Sequence, residues 1–474
     1  MPHAKTRCFI NSAWQTGEML DKILYEIKKF IPKSAFEFFQ PAYHYALAFF
    51  GALVYGFPSK KLYVIGVTGT KGKTTTSNLI HHILNSSGQK TGLITTVNIK
   101  IGDKEEANKL KQTMLGRFKL QKLLAQMVKE GCAYAVVETS SEGILQFRHK
   151  FVDYNAGVFI NLSPEHLERH GGFENYRSAK IKLFEKVARK KNGVGIYNLD
   201  DENAERFLKP EIKNKWGYGI KNNFQFPMPT GRQAISNFQS ILKISDIKLR
   251  ANGSEFSANG VNYKTNLVGE FNIYNCAAAI CAALSQSIAT EKIQKSLESF
   301  KSVPGRMEVI DSKKGFRIIV DYAHEPKSLE EVYKAARDTQ IGESNGKLVC
   351  VLGSAGGGRD KWKRPEMGKI AAGYCDEIIL TNEDPYDENP NSILDEIEFG
   401  FGKMENGKWK MEKNYFKIID RKEAIKKAIS LAKKGDVVVL TGKGGEVWMC
   451  VEKGKKIEWN ERKIVEEILG ELNH

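Results

Sequence analysis

The stretch Gly66-Val67-Thr68-Gly69-Thr70-Lys71-Gly72-Lys73-Thr74-Thr75-Thr76 carries the residue types that a polyphosphate needs. Glycines at 69 and 72 let backbone N–H groups approach phosphate oxygens. Lys73 supplies a cation for the outer phosphates, and the Thr74 hydroxyl is placed for a magnesium ion at a helix N-terminus. The run departs from the strict G-x-x-x-x-G-K-[ST] pattern, because Val67 stands where the first glycine belongs. Alone it argues for nucleotide binding and for no particular reaction.

Two further runs bring groups suited to a hard cation. Glu138 opens Glu138-Thr139-Ser140-Ser141-Glu142-Gly143 at the end of an apolar run, and His166 closes Asn161-Leu162-Ser163-Pro164-Glu165-His166 after another. A carboxylate at the carboxyl end of a neighbouring strand suits magnesium, which prefers oxygen. Taken singly, Glu138 is equally a strand-end surface acid and His166 a structural histidine.

These groups need a scaffold that presents strand ends side by side. Leu62 to Val67 reads as a strand entering the loop, and Leu79, Ile80, Ile83 and Leu84 fall at helical spacing before Gly88, a helix cap. Ala133 to Val137, Val158 to Ile160 and Val194 to Tyr197 read as buried strands between helical patterns at Leu120 to Lys129 and Tyr176 to Arg189. This alternation predicts an α/β fold with a parallel sheet. From Trp216 to Val268 a polar, Asn-, Ser- and Gly-rich stretch predicts a small β insertion or loops, followed by an apolar helix through Asn275 to Leu284. Val303-Pro304-Gly305 reads as a hinge. A second alternating series follows, with strands at Phe316 to Val320, Lys347 to Leu352, Glu377 to Leu380 and Asp436 to Leu440. Three parts are expected: a helical segment at 1–60, a central ATP-binding domain at 61–302 and a Rossmann-like domain at 303–474.

With 474 residues, 41% hydrophobic and 27% charged, the chain exceeds what one core usually organises. Its net charge of +16 is compatible with nucleic acid, an anionic membrane surface or acidic small substrates. The lysines are spread along the chain without an aromatic-interleaved basic motif, so nucleic acid is not expected. Seven widely spaced cysteines read as core thiols of a reducing cytoplasm. Pro41 to Phe57 carries no formal charge and reads as a packed helix or as one touching a membrane surface, with Lys28, Lys29, Lys33, Lys60 and Lys61 flanking it.

The order of motifs resembles the Mur ligases, most of all the UDP-N-acetylmuramoyl-tripeptide synthetase branch. The motifs are TGTKGKTTT, ETSSEG, NLSPEHLERHGG, Tyr176-Arg177-Ser178-Ala179-Lys180, Gly269-Glu270-Phe271-Asn272-Ile273-Tyr274-Asn275, Pro304-Gly305-Arg306-Met307-Glu308, Asp321-Tyr322-Ala323-His324 and Gly442-Lys443-Gly444-Gly445-Glu446. The resemblance implies a ligase that uses ATP and Mg²⁺ to join an amino acid to a UDP-muramoyl peptide through an acyl phosphate. It implies catalytic roles for Lys73, Glu138, His166 and Lys180, with Thr74, Glu138, His166 and a carbamoylated Lys180 holding magnesium. Gly69, Thr70, Lys71, Gly72, Lys73, Thr74, Thr75, Asn272, Asn275, Arg306 and Asp321 would bind the nucleotide. Thr113, Ser141, Gln146, Arg148, His324, Asp384 and Glu446 would contact the substrates. A cytoplasmic monomer is expected.

Departures from the family pattern are part of the reading. Lys71 replaces an Asn or Asp, Glu142 a His, Glu165 an Asp and Gly445 a His. Where diaminopimelate-adding enzymes carry Asp-Asn-Pro-Arg, this chain has Glu383-Asp384-Pro385-Tyr386, without the arginine that would clamp a distal carboxylate. Residues 1–60 are too few for the family's uridine-nucleotide domain. The acceptor is therefore UDP-linked, lipid-linked or a folyl polyglutamate, and a non-catalytic membrane-associated relative is the rival from another class.

Overall fold

The computed structural model describes residues 33–471, apart from 111, 166, 222–237, 342–345 and 404–408. Two sheets organise the chain. The strands of the larger are β1 (Tyr63–Thr68), β2 (Thr91–Ile94), β3 (Asn98–Ile101), β4 (Lys104–Ala107), β5 (Tyr134–Glu138), β6 (Tyr154–Phe159), β7 (Val194–Asn198), β8 (Asn214–Gly219), β9 (Phe238–Arg250), β10 (Gly253–Ala258) and β11 (Val261–Thr265). Their order is β11-β10-β9-β8-β7-β6-β1-β5-β2-β3-β4. From β9 through β2 all pairs are parallel, and antiparallel hairpins extend both edges. The smaller sheet, β12 (Glu308–Asp311), β13 (Arg317–Val320), β14 (Leu348–Leu352), β15 (Glu377–Leu380), β16 (Tyr415–Lys417) and β17 (Val437–Leu440), runs β12-β13-β17-β14-β15-β16 and is parallel except for β12.

The helices used below are α1 (Lys33–Val54), α2 (Lys73–Ser86), α3 (Arg117–Lys129), α4 (Phe173–Ala188), α5 (Glu270–Leu284), α6 (Pro326–Ala335), α7 (Lys363–Tyr374), α8 (Arg421–Leu431) and α9 (Glu461–Glu471). Val64, Ile65 and Val67 of β1 are wholly buried, as expected of a central strand covered on both faces. Layers of α2 and α5 on one face, and α3 and α4 on the other, enclose separate apolar clusters. At β1 the connections reverse, with β5 on one side and β6 on the other. The carboxyl ends there are the usual ligand-binding edge of such a sheet.

The stretch from Trp216 to Val268 is no separate insertion. β8 and β9 continue the parallel ladder, and β9 buries Leu242 and Ile244 while exposing Lys243 between them. The short β2 and the exposed β4 lacked an apolar signal in the sequence. The cysteine reading is corrected in one respect: Cys350 on β14 and Cys375 just before β15 form a disulfide, with Cα atoms 6.1 Å apart. Parallel pairing of these strands brings together two residues that their spacing along the chain kept apart. Cys132, Cys276, Cys281 and Cys450 are buried free thiols.

The smaller sheet is tied together by a buried ion pair. The Arg421 guanidinium donates to both Glu461 oxygens at 2.5–3.2 Å, to Asn382 O at 3.1 Å and to Thr441 O at 2.7 Å. Neither side chain is exposed. Replacing Arg421 by alanine strands the Glu461 charge, and thermal unfolding is expected to show a loss of about 3 kcal/mol. The conservative lysine variant should recover only part of it, because it cannot make the forked contacts.

Candidate active site

A cavity of about 480 Å³ opens where the carboxyl ends of β1, β5 and β6 face the loops of the smaller sheet. Gly72, at φ 77°, lets the chain turn from the loop into α2, and a Cβ there would lie 2.3 Å from Asn275 Oδ1. Glycine is thus required twice at this position, by the backbone and by the neighbour. The loop is pinned from β6: Asn161 Oδ1 accepts from the N–H groups of Thr70 at 3.1 Å and Lys71 at 2.9 Å. The Thr70 hydroxyl shares a hydrogen bond of 3.0 Å with Tyr176.

Glu138 Oε2 gathers three donors, Thr74 Oγ1 at 3.0 Å, Thr96 N at 2.8 Å and Thr96 Oγ1 at 3.0 Å. The threonine hydroxyl and the carboxylate therefore meet at the start of α2, and two oxygen donors suit magnesium. Lys73 donates to Thr70 O at 2.8 Å. Desolvation lowers its proton affinity, against the opposing charges of Glu138 and Glu165. Lys180 is enclosed, with Nζ 2.7 Å from Gly69 O and 4.6 Å from the centre of the Tyr176 ring. Burial first, and then the neighbouring Lys73, hold its amine well below the usual lysine range.

The cavity brings together most of the residues read from the sequence. Thr70 through Thr75, Thr113, Glu138, Ser141, Gln146, Arg148, Lys180, Asn272, Asn275, Arg306, Asp321 and His324 all line it. Gly69 lies behind, as the acceptor for Lys180. His166 lies outside the described residues. Arg148 is occupied by protein partners: it donates to Gln146 Oε1 at 2.7 and 3.2 Å, to Gln112 Oε1 at 3.2 Å and to Met114 O. Asn272 and Asn275 are linked at 2.9 Å, and Asn275 also accepts from Thr76 at 3.1 Å, fastening α5 to α2.

Across the cavity, Asp321 accepts from Met307 N and Ala323 N, both at 2.7 Å. The Arg306 guanidinium stacks 4.3 Å from the Tyr322 ring centre. His324 Nδ1 lies 2.7 Å from Tyr322 O, so this nitrogen carries the proton and Nε2 is left as the acceptor. Asp384 and Glu446 lie outside the main cavity and are joined by Lys443, which donates to them at 2.9 and 2.7 Å and to Trp448 O at 2.8 Å. Residue type and spacing single out no role for Lys443, Thr96, Asn161 or Tyr176.

All four single-residue departures from the family pattern have local explanations. Lys71 and Glu165 pair with each other at 3.0 Å. Glu142 pairs with Arg169. At Gly445 a Cβ would lie 2.6 Å from Pro304 O, so the close passage of that segment leaves no room for a side chain.

Glu383 is buried beside these groups. Desolvation, then the Asp384 charge, pushes its carboxyl up to about 7, against Lys363, Lys443 and Arg421. A carboxyl raised in the folded state stabilises fully below its unfolded value, and that contribution is lost as pH rises through about 7. The melting temperature should accordingly fall between roughly pH 5 and pH 7 relative to a Glu383→Gln variant, whose profile stays flatter over that window.

Residues 67–283 match the Mur ligase middle domain and residues 305–444 the Mur ligase glutamate ligase domain. A UDP-N-acetylmuramoyl-L-alanyl-D-glutamate–2,6-diaminopimelate ligase of Syntrophomonas wolfei is 37% identical over 90% of this chain and 81% of its own length. The chain belongs to the Mur ligase family. The corresponding enzyme of Aquifex aeolicus is 38% identical over 94% of this Mur ligase and 82% of its own length. A solved structure of a ligase with that name superposes with a TM-score of 0.58 at 29% identity, covering 87% of this chain and 79% of the other. MurF from Thermotoga maritima in complex with ADP shares the fold, with a TM-score of 0.61 at 19% identity over 90% of this chain and 83% of the other. Membership makes this chain an ATP-dependent acid–amino-acid ligase.

Proposed function

We propose that this Mur ligase adds an amino acid to a UDP-N-acetylmuramoyl peptide in the cytoplasm, during peptidoglycan synthesis, through an acyl phosphate. The observation that carries the reading is the meeting of the phosphate loop, Glu138 and Lys180 in one cavity that also reaches the Gln146–Arg148 segment and Arg306. An acceptor carboxylate oxygen attacks the γ-phosphorus of ATP, and the bond to ADP breaks. The amine of the amino acid then attacks the acyl carbon, loses a proton and displaces phosphate. Both partners of the first step are anionic, so Lys71, Lys73 and Arg306 serve by lowering their repulsion.

Thr74 and Glu138 would hold magnesium, which screens phosphate charge when bound. Carbamoylation of Lys180, implied by the family resemblance, adds carbon dioxide to the unprotonated amine with loss of one proton. It places an anion beside Lys73. Burial favours the unprotonated amine that this requires. A second cavity of about 360 Å³ shares Lys71, Gly72, Phe271, Asn275 and Glu331 with the first, and the nucleoside would lie there beside its phosphates.

The relatives named above add diaminopimelate. At position 386 this chain offers an uncharged Tyr386, with Arg359 as the neighbouring cation. Product mass is therefore the test, after incubation with ATP, magnesium, UDP-muramoyl dipeptide and mixed amino acids. A gain equal to one amino acid less water supports the reading and names that amino acid. ATP turnover that gives no acceptor adduct refutes it.

A further inference from the structure

Helix α1 is packed the wrong way round for a globular protein. Its buried positions are the small Ala48, Gly51 and Ala52, which rest on α3, and a Cβ on Gly51 would meet Arg117 O at 3.4 Å. The opposite arc presents its large residues to solvent: Phe39 is 63% exposed, Phe50 53%, Leu53 51% and Val54 58%, with Tyr45 and Phe49 at one border. At helical spacing these residues occupy about half the circumference. Isolated exposed apolar residues are ordinary, but a contiguous face of this width marks an interaction surface.

The charge around it selects the partner. Across residues 28–61 the sequence carries Lys28, Lys29, Lys33, Lys60 and Lys61 against a single acid, Glu37, and Lys60 and Lys61 just after the helix are exposed. A protein partner with an apolar patch has no need of such one-sided charge. An aromatic and aliphatic face rimmed by lysine is what an anionic bilayer surface attracts. Among the described residues no helix is long and apolar enough to cross a membrane, so α1 would lie in the interface plane.

We propose that the outward face of α1 docks this Mur ligase on an anionic lipid surface. The placement has a consequence for the acceptor, which rests on the ligase reading, whereas docking itself does not. Tyr45 meets the Phe147 ring at 6.5 Å and the Phe151 ring at 5.2 Å, and Phe49 meets Phe151 at 5.5 Å. Phe147 directly precedes Arg148, which lines the main cavity. The docked face therefore adjoins the acceptor end of the site, so docking would hold the Gln146–Arg148 segment close to the lipid surface.

Co-sedimentation of the full chain with vesicles tests this, using phosphatidylcholine alone and phosphatidylcholine mixed with phosphatidylglycerol. The chain is expected to pellet with the anionic vesicles, less so as salt rises. The exposed double variant Phe50→Asp, Leu53→Asp should lower partitioning by about a hundredfold and keep the ligase turnover of the parent on a soluble acceptor. Retention in the supernatant with anionic vesicles overturns the proposal. So does equal binding to both vesicle types, or concentration-dependent self-association in sedimentation velocity that the double variant abolishes, which would assign the face to a second copy. Vesicle binding is read without catalysis, so its failure is separable from failure of the ligase reading.

Discussion

Replacing Lys73 by alanine is expected to lower ligase turnover by about a thousandfold or more, the scale seen when a preorganised charge is withdrawn from a transferring phosphoryl group. The effect should be catalytic and not structural. Desolvation lowers the proton affinity of Lys73 in the fold, so below the unfolded lysine value its charged form costs stability. Removing the amine relieves that cost, and among the described residues its one hydrogen bond is to Thr70 O. The melting temperature should therefore hold or rise while turnover collapses. A parallel loss of folding would mean that Lys73 is a structural residue. Arginine is not expected to substitute, because a planar fork needs room and partners that a compact ammonium does not.

Glu138→Gln should cost about a hundredfold in turnover and raise the magnesium concentration needed for half-maximal rate by about tenfold. The amide retains one oxygen to accept from Thr74 and Thr96, so the cradle survives with its shape and without its charge. Titrating magnesium at fixed ATP distinguishes the two effects. A variant with reduced turnover and an unchanged magnesium requirement would move Glu138 out of metal binding and leave it as the anchor of Thr96. Little change in unfolding is expected, since a neutral acceptor still satisfies the same donors.

Much of this scaffold was legible because buried parallel strands are short, nearly continuous apolar runs ending in polar or glycine-rich turns, as in β1, β5, β6 and β14. The loop and Glu138 could be singled out from residue type and position, whereas Lys180 stood out only through the family resemblance. What escaped depends on pairing across the fold. Thr96 follows a four-residue strand too short to carry a pattern, yet it gives two of the three hydrogen bonds received by Glu138 Oε2. Lys71 and Glu165 were read as separate departures and are partners in space. The uncharged, aromatic run in α1 reads as a helix, but does not reveal that its small residues face inward and its aromatic ones outward. Periodicity defines a stripe, and packing decides which side of it is covered.

In the proposed mechanism the acceptor carboxylate is phosphorylated before the amine attacks it. The direct measurement uses acceptor labelled with heavy oxygen in that carboxylate, incubated with ATP, magnesium and the amino acid, followed by mass spectrometry of the released phosphate. The mechanism predicts one labelled oxygen in each phosphate, matched to one amide formed. Unlabelled phosphate accompanied by amide formation would contradict it.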